Sequence, residues 1–136
     1  MLQNITPKSK IKEELELIQF FAEIHLSEEP EEIVHWCNEA LVHLPRTAKL
    51  IADSQYHKDR KMRSELTEQI KLVSGYSPSV ANKFVDTLME EENFLLKHSE
   101  RLNAALSRKI DFCRTLLSKA KEELKYTQTA NYGNQA

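Results

Sequence analysis

The chain has 136 residues, 40% hydrophobic and 29% charged, with a formal net charge of −2. This length supports one domain with one core, not two. The near-neutral total excludes a surface that attracts nucleic acid or anionic lipid over its whole extent. Two Gly and four Pro in a sequence rich in Glu, Lys, Leu and Ala point to an all-α fold.

A single helical domain is expected over 1–126, followed by a disordered polar tail at 127–136. The first predicted helix spans 8–26, with Ser9 as its cap and Glu13 and Glu14 in its early turns. Ile11, Leu15, Ile18, Ala22 and Leu26 form one strip, and Leu17, Phe20, Phe21 and Ile24 widen it. A helix so apolar around its circumference is expected to be sandwiched between neighbours. The second helix, 28–43, starts at Ser27 with Pro30 in its first turn and ends at Pro45. Its apolar face is Ile33, Cys37, Ala40, Leu41 and Leu44, with Trp36 at the edge.

The third helix, 46–74, carries an aliphatic-free stretch from Asp53 to Lys61 between apolar segments; Met62, Leu66, Ile70 and Val73 resume the strip. After a turn at Ser74–Ser79, Ser77 and Pro78 open the fourth helix, 78–125. In heptads, Ala81, Leu88, Leu95 and Leu102 share one position. Val85, Glu92, Ser99, Leu106, Cys113 and Ala120 share the other, so Glu92 and Ser99 are polar intrusions in the seam. The last two helices are expected to form a long antiparallel hairpin. A straight helix over 78–125 is about 70 Å long, against a radius of gyration of about 14 Å for a compact domain of this size. It must bend near 90–99 or belong to an elongated molecule. The charged stretch after Asp53 is read first as solvated surface. Counting back from the turn, however, sets Lys58–Lys61 level with Glu91–Phe94, where it becomes an ion-pair layer inside the hairpin.

Charge is segregated. Every Asp, Glu, Lys or Arg between Glu13 and Leu41 is acidic, 46–63 is basic in excess, 65–92 acidic and 97–125 basic. Two surfaces follow. Tyr56, His57, Lys58, Arg60, Lys61 and Arg63 are the candidate contact to a partner or to nucleic acid, with a ring to stack and cations to follow a backbone. Glu28, Glu29, Glu31, Glu32, Glu90 and Glu91 are the candidate acidic docking surface.

Other chemistry finds little support. Glu31, His35, Glu39 and His43 line one ridge of the second helix. That ridge lies opposite the apolar face, and only one Glu-x-x-His is present, so no metal site is expected. Cys37 and Cys113 fall on apolar positions, where packed thiols are the reading rather than a nucleophile or a disulfide. Gly75 alone makes no phosphate loop. The expectation is therefore a non-enzymatic helical interaction module without cofactor, a homodimer rather than a monomer, acting through protein contacts. The alternatives are an accessory nucleic-acid-binding protein and an inhibitor docking through its acidic helices. Met1–Pro7 shows no basic-then-apolar pattern, and no apolar run approaches the ~20 residues of a membrane span, so a cytoplasmic location is expected.

Overall fold

Long stretches without Gly or Pro let helix propagate one hydrogen bond at a time, and the chain uses them for four helices. The computed structural model describes residues 4–73 and 75–133; of 66–73, 131 and 132 only the backbone is described. The helices are α1 (Lys8–Ala22), α2 (Pro30–Val73), α3 (Pro78–Leu88) and α4 (Glu90–Gly133), with no strand among the described residues. No helix there is long and apolar enough to cross a membrane.

The helix boundaries differ from those expected in five places, one being that α2 opens at Pro30 rather than Glu28. Pro45 does not end a helix; it lies inside α2, which runs 44 residues. It sits on the exposed side, where water can take over a carbonyl deprived of its N–H partner. Just beyond it the Thr47 hydroxyl donates to Leu44 O at 2.7 Å, and Asn103 of α4 donates to Thr47 Oγ1 at 2.9 Å. Packing on α4 thus carries the helix through its own breaker.

The expected helix over 78–125 is interrupted at Met89, without Gly or Pro. Met89 N reaches both Val85 O and Asp86 O, at 3.1 and 3.2 Å, and α4 restarts at Glu90. Met89 is 1% exposed, so the break turns an apolar side chain into the core. α1 begins at Lys8 with Pro7 at its cap and ends at Ala22, not Leu26. The tail expected from 127 is helical as far as Gly133. At the turn, Ser77 caps α3 and accepts from Val80 N at 3.5 Å, with Pro78 first in the helix. Ser74 and the side chains of Leu66, Ile70 and Val73 lie outside the described residues.

Contacts between α2 and α4 run down one helix as they run up the other: Lys61 with Glu92, Ser54 with Ser99, Thr47 with Asn103. α1 lies across both, in step with α4 through Lys8–Glu92 at its start and Lys109–Ala22 O (2.7 Å) at its end. The core is the shared interior of these three helices: Ile11, Leu15, Ile18 and Phe21 from α1, Ile33, Trp36, Ala40 and Leu50 from α2, and Leu95, Leu102, Leu106, Ile110 and Cys113 from α4.

Trp36, placed at the edge by the sequence, belongs to this core at 3% exposure. Its ring stacks on Phe21 (centroids 5.1 Å apart, planes 1° apart), and its N–H donates to Phe21 O at 3.3 Å. Lys109 stands 4.7 Å over the same ring while its ammonium holds the free carbonyls of Ala22 and Ile24, a cation where a helix C-terminus favours one. Conversely, Leu41, placed on the apolar face, is 51% exposed.

Replacing Trp36 with Ala is expected to cost about 3–5 kcal/mol, as for other buried aromatics. Val42→Ala, on the outside of the same helix, should stay within about 0.5 kcal/mol of wild type. Denaturant unfolding followed by circular dichroism checks both.

Candidate functional site

The stretch Asp53–Lys61 is exposed only at Gln55 and Arg60. Asp53 and Ser54 are 2% and 1% exposed, and its inward-facing side chains each meet a partner. The segment before α1 supplies some of these. Thr6 N donates to Asp53 Oδ2 at 3.0 Å, and His57 Nε2 lies 2.7 Å from Thr6 O. A carbonyl can only accept, so Nε2 carries the proton. Lys49 donates to Asn4 O at 2.8 Å and pairs with Asp53. α4 supplies the rest: Ser99 lies opposite Ser54, and Glu92 opposite Lys61.

Glu92 is the centre of this layer. Its side chain is fully buried, and Oε1 takes both Lys8 (3.1 Å) and Lys61 (3.2 Å). Oε2 has no hydrogen-bond partner among the described residues. Burial pushes the carboxyl up, but its own backbone N–H and the two lysines outweigh that and hold it below its ordinary 4.5. Asp53 follows the same logic: burial raises it, while Lys49 and the Thr6 N–H hold it below its ordinary 3.8. Lys8 is raised by its hydrogen bond to Glu92.

The six residues proposed to contact nucleic acid do not form one surface. Lys61 is committed to Glu92 and His57 to Thr6. Tyr56 OH accepts from Arg60 at 3.4 Å, and its ring meets His57 edge-on. Lys58 is half-buried; Arg60 and Arg63 are exposed. The acidic residues are all exposed but fall into two groups. Glu28, Glu29, Glu31 and Glu32 lie at the start of α2, where Glu28 shares a groove with Leu116 and Lys119 of α4. Glu90 and Glu91 open α4, about 40 Å away along that helix. The structure thus divides that docking surface.

On the ridge of α2, His35 pairs with Glu39 at 3.2 Å, and His43 packs at 4.7 Å against Phe21. No group of three or more His, Cys, Asp or Glu side chains converges among the described residues. Cys37 and Cys113 are free thiols facing each other across α2 and α4; burial first, then Cys37, pushes Cys113 up to about 11.

The sequence reading missed an outer surface. Leu17, Phe20 and Ile24, expected to be sandwiched, are 67%, 75% and 41% exposed, because α1 has neighbours on one side only. On α4, Phe94 and Phe112 are 60% and 61% exposed and flank the exposed Arg101 and Arg108. Spacing along α4 carried the signal: Arg101 and Arg108 lie one heptad apart, on the side opposite the Ser99–Leu106 seam. No protein-family model, no curated protein and no solved structure matches the chain.

Glu92 and Asp53 set an acid limit. A carboxyl held low in the folded state contributes stability above its unfolded value and loses it as pH falls through its folded value. Stability should therefore be flat from pH 7 to about 5 and fall below about 4.5. Glu92→Leu frees Lys8 and Lys61 to reach water and should cost less than about 1 kcal/mol at pH 7. Lys8→Met with Lys61→Met strands the buried carboxylate and should cost about 3–5 kcal/mol. Urea melts of these variants across pH measure both.

Proposed function

We propose that this protein is a non-enzymatic helical assembly module, built on a long antiparallel hairpin of α2 and α4, which acts through protein contacts and self-associates. The observation that carries this reading is the apolar outer surface: Leu17, Phe20, Phe94 and Phe112 each stand at least 60% exposed on the bundle.

The shape supports it. The accessible surface is 10125 Å², whereas a compact monomer of this mass exposes about 7,300 Å². Part of the excess comes from α4, which runs on about 20 Å past the level of α2's first turn, with 121–130 wholly exposed. The interior polar groups, by contrast, are used on one another. Glu92, Asp53, Ser54 and His57 all hold partners within the chain, leaving them to fix the fold rather than to meet a substrate.

Sedimentation velocity over a wide concentration range tests the reading. The expected result is an average mass that rises with concentration towards twice 15.8 kDa. A single elongated species of monomer mass at the highest concentration overturns it.

A further inference from the structure

On α1, Glu16, Phe20 and Glu23 are spaced i, i+4, i+7 and are all exposed. On α4, Arg101, Ala105 and Arg108 have the same spacing and are also exposed. Residues so spaced form one stripe on a helix. One stripe is acidic around a large ring; the other is basic around a small side chain.

The two stripes lie on adjacent helices, and the contacts between those helices bring them to a similar level. Contacts of α1 and the residues just after it with α4 span offsets from 79 residues (Gln19–His98) to 87 (Ala22–Lys109), with 84 for Lys8–Glu92 and 85 for Ile24–Lys109. An offset of 85, inside this range, sets Glu16 level with Arg101, Phe20 with Ala105 and Glu23 with Arg108. Yet none of these four charges forms an ion pair among the described residues. Glu23 accepts from Gln19 at 3.2 Å.

We propose that this α1–α4 face is the self-association surface and that its occupant is a second copy of the same face, related by a two-fold axis parallel to the helices. The inference rests on the self-association reading above and names its surface. Such an axis keeps every level and exchanges the two helices, so α1 of one protomer lies over α4 of its partner. Each acid row then meets a base row, and Phe20 enters the space left by Ala105. A two-fold contact is self-complementary, and here the complementarity is already written across one face. Phe94, Ile24 and Phe112 extend the apolar contact at the ends. Two helices about 10 Å wide over ~25 Å bury roughly 500 Å² per protomer, about 1,000 Å² in all. That is the lower end for a specific interface, so the dimer dissociates on dilution and weakens with salt.

The test uses charge reversal in the full chain. One variant carries Arg101→Glu and Arg108→Glu; the other carries Glu16→Arg and Glu23→Arg. Each alone sets like charges together and should self-associate on the order of tenfold more weakly or less still. Mixed in equal amounts, they are complementary at both halves of the contact and should form a heterodimer at wild-type strength. Restoration on mixing also shows that both variants are folded. Wild-type dimers whose strength neither variant changes would overturn this surface while leaving self-association in place. A wild-type monomer at all concentrations would overturn both.

Discussion

A carboxylate withdrawn from water is expensive, and it stays ionised only where cations and hydrogen-bond donors replace the lost hydration. Glu92 meets that condition by drawing on three helices at once. Lys8 comes from the first turn of α1, Lys61 from the second half of α2, and the backbone N–H from the first turn of α4. A slip of any helix by one turn would move a cation about 5 Å away and strand the charge. The apolar seam between α2 and α4 repeats every few residues and tolerates such slips better. The buried charge, with Ser54–Ser99 and Thr47–Asn103, distinguishes one register from its neighbours.

The same layer accounts for two irregularities. The segment before α1 has no helical partners for its backbone groups, and Asp53, His57 and Lys49 supply them. What looked like an interruption of the hydrophobic strip is the seat of that segment. The break at Met89 lies three residues before Glu92. Ending α3 there frees α4 to present its first turn, with Glu92 inward, and lets Met89 fill the core beside it.

With its polar interior occupied in this way, the molecule presents its remaining chemistry outward. Its outer features are apolar and charged side chains on rigid helices, which suit a contact between proteins. Under the self-association proposed above, helices hold contact residues at fixed spacing, so small charge differences would select the partner copy and its register.

Much of this was legible in the sequence because it is local. The all-α class follows from composition and the lack of Gly and Pro, and the start of α3 from Ser77–Pro78. Heptad counting marked Glu92 and Ser99 as polar residues in a buried seam, and counting from the turn set Lys61 level with Glu92. Other features depend on residues far apart in the chain. Pro45 usually breaks a helix at a cost of about 3 kcal/mol; here packing on α4 outweighs it, and no local pattern announces that. Trp36 is buried because Phe21, Lys109 and the end of α1 meet over it. Leu17 and Phe20 had the composition of a covered helix, but only the placement of α1 on one side of the bundle left them open. The sequence by itself determined the all-α class, the start of α3 and which seam positions are polar, because hydrogen bonding and periodicity act within a few residues. The tertiary structure alone decided where helices break, which aromatic rings are covered and which charges are paired, because burial energies depend on neighbours that folding brings together.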